Sequence, residues 1–445
     1  MKNSIWLLLA VAGVAACAAS ARADSMWDYQ AVNSAGYGIH PKVWADETDP
    51  ASRIIIEGVA LAGVDEILDP GLQYTVFLQD DMSDRGGMQA WTGKFLYGDA
   101  LWAYFRSTDY IDFSAGDRLR ITGLIADMGR GKVVINNRGH SGAPNLVWHV
   151  DILGHPGLPD PQLIASVSHC NYFDETRAGG GERYQGRYVM LHGVEVTAGS
   201  WGNNSLMTIG DATGSVGMLL SAVGNFGVNP QPQGRLNVVG IFDQEDDQVS
   251  PYTGGYRVWV KKAADISAAL DACREAGARD AGERVALAGK VVSRVFDGFF
   301  FIQDEGRAGG VRVISSRAVS PGEIVSVAGV IVEDQSGRAI AASYVSRSSG
   351  GQAPRPLFVN SAVARGERGL SVQGLLVRVA GVAGAGDGEG GFILTDASGT
   401  IAVRVSGGAA PQQGAAVIVT AVAVGSGDGA ALVAAGPEDI ELVTQ

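Results

Sequence analysis

Cysteine is almost missing from this chain, with three in 445 residues, at positions 17, 170 and 273. That excludes a disulfide-dense scaffold and a metal site built from several thiolates. Long hydrophobic runs are missing too. Ile5 to Ala16 is apolar but too short for a comfortable bilayer span, and nothing after it is longer. Positive charge is in deficit: 34 Lys and Arg face 47 Asp and Glu, a formal charge of −13. A general polyanion binder is disfavoured, because non-specific nucleic-acid affinity rests on cations neutralising phosphates. No nucleophile elbow, phosphate loop or dinucleotide fingerprint is present. The expectation is therefore a protein without catalytic residues, cofactor or metal, and not an enzyme.

Glycine is abundant, 63 residues in all, about twice the average share of ~7%, and it punctuates a pattern that recurs four times. VFLQD at 76–80 leads to GGMQAW at 86–91 and GDRLRITG at 116–123. FFIQD at 300–304 leads to GGVRVI at 309–314 and GEIVSVAG at 322–329. FILTD at 392–396 leads to GTIAVRV at 399–405 and GAAVIVTA at 414–421. A fainter copy runs MTIGD at 207–211, GSVGMLL at 214–220 and QGRLNVVG at 233–240. Self-similarity of this kind fixes architecture before any single residue is interpreted. Each copy is preceded by an apolar stretch with an internal glycine, read as Gly58, Gly193, Gly289 and Gly374. The third copy divides into strands over 284–295, 298–303, 310–314, 323–332 and 338–345, rich in Val and Ile and bounded by Gly turns. A long first strand shared by two sheets must coil sharply, and glycine permits the bend.

Five strands with a coiled first strand resemble the OB-fold, a partly open Greek-key barrel. GERYQGRYVMLHGVEV at 181–196, followed by Trp201, and FFIQD followed by GGVRV, resemble the repeats that accompany bacterial extracellular nucleases of the endonuclease/exonuclease/phosphatase class. That family's catalytic motifs have no counterpart here, so its activity is not implied. The expected fold is all-β: four tandem five-stranded OB-like barrels joined by linkers, with a short linker helix. The expected boundaries are a signal peptide at 1–23, repeat 1 at 52–140, a linker at 141–182, repeat 2 at 183–266 and a helical linker at 267–282. Repeat 3 follows at 283–347, a linker at 348–368 and repeat 4 at 369–445. Ile266, Leu270 and Cys273 fall on one helical face, and Pro- and Gly-rich connections suggest separate beads.

The leader implies export. Lys2 and the apolar run are followed by Ala21-Arg22-Ala23 before Asp24, a signal-peptidase site. Val14-Ala15-Ala16-Cys17 resembles a lipobox, so a lipoprotein anchored at Cys17 is the alternative to a secreted, periplasmic or cell-surface soluble form. Cys170 and Cys273 form a disulfide or stay as free thiols; sequence leaves both open.

Strand alternation separates two faces. Val76 and Leu78, Met207 and Ile209, Phe300 and Ile302, and Phe392 and Leu394 form the apolar inward set. Phe77 and Gln79 in copy one and Phe301 and Gln303 in copy three then point outward, joined by Trp91 and Arg312 on the third strands. Strands two and three are where OB-folds take oligonucleotides or sugars, and an aromatic beside a polar group is the equipment for stacking rings. Copy one also carries an insertion with eight aromatics between Trp91 and Phe113, among them Trp102 and Tyr104. It reads as an extended hairpin presenting those two to a ligand, or as a plug at the barrel end. Candidate ligand-binding residues are thus Phe77, Gln79, Trp91, Trp102, Tyr104, Phe301, Gln303 and Arg312.

Copy three has eight Arg or Lys against seven acids, whereas copy four has only Arg378 and Arg404 against seven. A phosphate backbone is repelled by copy four. His140, His149, His155 and Asp151 match no compact zinc spacing, and the shared Asp80, Asp211, Asp304 and Asp396 suit turns whose backbone N–H groups they accept. The chain is read as an exported binding or adaptor protein, its partner an oligosaccharide, a single-stranded nucleic acid or a protein. The alternatives are a cell-surface spacer with no small ligand, or an accessory subunit of a secreted hydrolase or nuclease.

Overall fold

A computed structural model describes residues 25–68, 73–80, 86–93, 112–136, 149–334, 336–348, 350–369, 371–388, 390–425 and 429–443. Their regular secondary structure is overwhelmingly strand. In barrel 1, β1 (Ile54–Ala60), β2 (Gln73–Gln79), β3 (Gly87–Gly93), β4 (Arg118–Asp127) and β5 (Val133–Asn136) close in the order β1-β2-β3-β5-β4-β1, with β3 and β5 parallel. This is the OB-fold circuit. After β6 (His149–Gly154) and β7 (Gln162–Ile164), it recurs in barrel 2 as β8 (Tyr188–Ala198), β9 (Leu206–Asp211), β10 (Gly214–Leu220), β11 (Leu236–Gln244) and β12 (Tyr256–Val260). Following β13 (Ile266–Leu270), barrel 3 repeats it with β14 (Arg284–Phe296), β15 (Phe299–Gln303), β16 (Gly310–Ile314), β17 (Ile324–Asp334) and β18 (Gly337–Ser348). After β19 (Leu357–Phe358), barrel 4 uses β20 (Leu376–Gly386), β21 (Phe392–Asp396), β22 (Gly399–Val405), β23 (Ala416–Val424) and β24 (Ala431–Ala434), followed by β25 (Ile440–Leu442).

The inward set is as expected. Val76, Leu78, Met207, Ile209, Phe300, Ile302, Phe392 and Leu394 are all buried, in four separate barrel cores. The bend glycines Gly193 and Gly289 take φ of 81° and 63°, a region that disfavours any side chain. In barrel 4 the expectation fails. Gly374 precedes β20, and Gly381 takes the place of Gly58, each packed against the carbonyl that ends strand two, of Thr395 and Gln79 respectively.

The shared aspartate does more than shape its own turn. In Asp211 and Asp396 one oxygen accepts the local N–H of Thr213 or Ser398, each at 2.7 Å. The other oxygen reaches the helical turn that precedes the barrel, at Val167 N (3.0 Å) and Ser361 N (2.7 Å). Asp304 accepts Cys273 N at 3.0 Å and Lys290 Nζ at 2.6 Å. Burial pushes the Asp396 carboxyl upward, but bonds from Ser398 and Ser361 outweigh it and hold the group at about 2. A helix start carries unpaired N–H groups, and a carboxylate is the natural acceptor for them.

Two expectations about the connections are corrected. Residues 267–282 are not a helical linker: β13 occupies Ile266–Leu270 and a short helix spans only Cys273–Gly277. Ile266 and Leu270 satisfy the strand period as well as the helical one, and backbone partners on both sides decide for strand. β13 runs antiparallel to β11 and parallel to β14, so barrels 2 and 3 share one twelve-stranded sheet. Nor are the barrels separate beads. One apolar cluster joins Phe77, Tyr188, Met190, Trp259, Ala286 and Ala328 from barrels 1, 2 and 3. A second joins Phe301, Leu376, Val422 and Ala431 from barrels 3 and 4. Cys170 and Cys273 are free and buried in different cores. Burial, then the charge of Asp211, pushes the Cys170 thiol up to about 12.

Candidate binding cleft between barrels 1 and 2

The outward residues of strands two are spent on neighbouring barrels. Phe77 is 1% exposed and meets Trp259 edge-on, centroids 5.9 Å apart. Gln79 Oε1 accepts the backbone N–H of Tyr188 at 2.7 Å, where β8 begins. Barrel 3 repeats this on barrel 4: Phe301 is 4% exposed, and Gln303 Oε1 accepts the N–H of Leu376 at 3.3 Å, where β20 begins. In both junctions two backbones cross at glycines, Gly87 on Gly186 and Gly310 on Gly374, where any Cβ would overlap the opposing peptide. Phe77, Phe301 and Gln303 are therefore shut off from solvent, contrary to the exposed-face expectation, and Gln79 is half-buried. A flat apolar ring beside an amide suits a barrel surface as well as it suits a base or sugar.

Arg312 is also pinned. Its guanidinium lies 2.6 Å from Asp334, donates to Gly337 O at 3.2 Å and covers the Phe299 ring at 5.8 Å. Trp102 and Tyr104 lie outside the described residues. Trp91 is the remaining candidate, and it is half-buried on the wall of a cleft of about 370 Å³.

Five short segments build that cleft, Leu68 being the contribution of the β1–β2 connection. β3 contributes Gln89 and Trp91. The β4–β5 turn and β5 contribute Met128, Arg130, Lys132 and Val134. Barrel 2 closes the far side with Glu245, Arg257 and Trp259. Alternation along β3 and β12 sends these side chains to the same outer face while Ala90 and Val258 fill the cores. Charges line the floor. Lys132 Nζ lies 3.1 Å from Asp243 and 2.8 Å from Glu245, and Arg257 lies 2.7 Å from Asp243 and 3.3 Å from Glu245. Arg130 pairs with Glu245 from the rim. Burial pushes the Asp243 carboxyl upward, but Lys132 and Arg257 outweigh it and hold it below the usual carboxylate range. The Arg257 guanidinium also covers the Trp259 ring at 5.2 Å. The cleft thus offers two indoles, hydrogen-bond donors and hydrogen-bond acceptors within one concavity.

Sequence reasoning found Trp91 and missed Lys132, Arg257 and Trp259, which come from strands that meet only when two barrels dock. Asp243 and Glu245 stand in an acidic run, Asp243 to Asp247, that reads from sequence as a solvated loop or a calcium ligand set; the structure buries Asp243 between Lys132 and Arg257 instead.

The 181–196 motif is structural. Glu182 accepts from Tyr256 Oη at 2.8 Å and Gln185 Nε2 at 3.0 Å. Burial raises its carboxyl to about 7, against the opposing pull of Tyr256 and Arg177. Arg177 and Arg187 sandwich themselves over Trp27 at 4.7 and 5.5 Å. Trp201 donates to Phe226 O and Asn229 O, each at 2.8 Å. Nothing in this arrangement supports an association with extracellular nucleases. His149 and His155 pair with Asp151 (2.7 Å) and Asp117 (2.6 Å), and among the described residues no group of three or more such side chains is placed to hold a metal.

No family model matches the chain, and no curated protein does. Among solved structures, the hypothetical protein ygiW from E. coli is similar over 18% of this chain and 90% of its own, at 19% identity and a TM-score of 0.16. A replication protein A heterotrimer bound to ssDNA is similar over 68% of this chain and 81% of its own, at 9% identity and 0.22. The tetrameric p202 HIN2 domain is similar over 46% and 91%, at 16% identity and 0.17.

Proposed function

We propose that the chain is an exported, non-catalytic carbohydrate-binding protein whose ligand lies in the cleft between barrels 1 and 2. One observation carries the reading: the matching junction docks with different residues at the positions that line this cleft. The register aligns the junction of barrels 3 and 4 with that of barrels 1 and 2 strand for strand. At the positions of Trp91, Lys132, Asp243, Arg257 and Trp259 it has Ile314, Gly337, Val424, Ala431 and Val433. That junction uses Phe296, Phe299 and an Arg294–Asp439 pair at other positions instead, so a joint of this kind does not require Trp91, Lys132 and Arg257 where barrel 1 and barrel 2 place them.

The chemistry favours a sugar over a polyanion. Indole faces take the apolar face of a pyranose, while paired carboxylates and cations bond its hydroxyls from both sides. The cations of the lining, Arg130, Lys132 and Arg257, are already paired with Glu245 or the buried Asp243, and the chain as a whole carries −13, which opposes a phosphate chain. Titration of the mature protein with a glycan panel, followed by tryptophan fluorescence, is expected to give saturable changes that Trp91→Ala removes. A response to single-stranded oligonucleotides alone, or to no glycan, would overturn the reading. Export is tested separately by the N-terminus of the processed protein: Asp24 for the soluble form, lipidated Cys17 and globomycin sensitivity for the anchored one.

A further inference from the structure

Barrels 2, 3 and 4 each have a short strand lying parallel to the first half of their first strand. β7 pairs with Val189–Leu191, β13 with Val285–Leu287 and β19 with Val377–Arg378. Pairing with strand four sets the equivalence, since Val189, Val285, Val377 and Ile54 lie opposite Gly240, Gly329, Ala421 and Gly123. The matching stretch of barrel 1 is Ile54–Ile55–Ile56. Among the described residues no strand lies along it, and Ile55 is 55% exposed, whereas its counterparts Met190 and Ala286 are buried. Ile54 and Ile56 point into the core, and a strand edge left unpaired beside an exposed Ile55 is a template for another strand.

The other end of the molecule carries the complementary piece. β25 lies antiparallel to β23, with Ile440 opposite Val419 and Leu442 opposite Val417. β13 lies on β11 in the same register, with Ile266 opposite Val238 and Ala268 opposite Leu236. Each follows a 3-10 turn, Ala263–Asp265 or Pro437–Asp439. Ala268 and Ala269, which go on to pair with Val285 and Ala286, therefore correspond to Leu442 and Val443. Those two are 61% and 46% exposed. The chain already makes this junction once within itself, between barrels 2 and 3.

We propose that copies of this chain join head to tail, Leu442 and Val443 of one copy lying parallel to Ile54–Ile56 of the next in the register that β13 adopts on β14. The two surfaces differ, so the contact is heterologous and propagates as an open row. The proposal is independent of the carbohydrate reading.

Sedimentation of the mature chain over a wide concentration range is expected to show mass rising in whole multiples of the protomer. Ile55→Asp, and separately Leu442→Asp with Val443→Asp, are each expected to weaken association by more than about tenfold. Both sites are exposed, so thermal melting should be unchanged. Mixing the two variants restores one intact head and one intact tail, and is expected to give a dimer and nothing larger. As a register test, Ile55→Cys combined with Val443→Cys should yield a disulfide ladder on oxidation; the native Cys170 and Cys273 are buried. A monomer at every concentration would overturn the proposal and point to a foreign strand as the occupant. Association that survives either variant, or a dimer formed by one variant alone, would overturn it equally.

Discussion

The junction between barrels 1 and 2 and the junction between barrels 3 and 4 are the same joint with different linings. Both have the glycine crossing, the outward Phe and the Gln that accepts the first N–H of the next barrel. Among the described residues the first has two indoles and a five-member charge network, whereas the second has Phe296, Phe299 and Arg294 paired with Asp439 and Glu438. Burying ion pairs is costly and rarely adds net stability over apolar packing. The second joint has Val424, Ala431 and Val433 at the matching places and keeps an ion pair, Arg294 with Asp439, at another, so the position of the first joint's network is not dictated by docking. The difference separates what the array needs in order to assemble from what one part of it adds.

The most damaging test of that distinction is Asp243→Ala. It strands Lys132 and Arg257 beside Glu245 alone, and is expected to cost about 3–5 kcal/mol in chemical denaturation. Val424, at the matching place, has no charge to strand. Next, Gly87→Val and Gly310→Val should each cost about 3 kcal/mol, and by similar amounts, because both crossings leave no room for a side chain. Unequal losses would show that the joints differ in mechanics as well as in lining.

The pH response comes next. Glu182 has a folded pKa of about 7, raised by burial. The folded state therefore holds its proton where the unfolded chain, near 4.3, has released it. That contribution is complete below the unfolded value and is lost as pH rises through about 7, on the order of 3 kcal/mol across the window. Glu182→Gln keeps the acceptor for Tyr256 and Gln185 and should flatten this slope in melts between pH 4 and pH 8. Asp243, held low by its cations, acts in the opposite direction and loses its contribution only in acid.

Smaller effects address function directly. Trp91→Ala should lower glycan affinity by about 1–3 kcal/mol, measured by calorimetry, while Ile314→Ala leaves it unchanged. The smallest expected change is in Gln79→Ala and Gln303→Ala, about 1 kcal/mol each, one hydrogen bond per joint.

Much of the fold was legible because its signal is local. The inward pairs recur in fixed register before a shared Asp, and strand period alone sorts them from their neighbours. The joints were not legible, because Phe77 and Phe301 present the same surface to a barrel as to a ligand. The distinguishing signal lies in what only two copies share. Copies one and three have Gln-Asp followed by Gly-Gly, while Gln185-Gly186 and Gln373-Gly374 precede copies two and four. Read that way, the fourfold repeat is a doubled pair. The cleft left less trace still: its charged residues lie on strands far apart in sequence, and only docking brings them together.

The strand Ile266–Leu270 serves two barrels at once, and this governs how the molecule can be taken apart. A cut on its N-terminal side exposes the edge of β11, and a cut on its C-terminal side bares β14. A cut after barrel 1 or before barrel 4 severs no shared strand but bares Phe77 or Phe301 and the apolar surface packed on it, and the middle half has to be expressed, folded and lost as one piece.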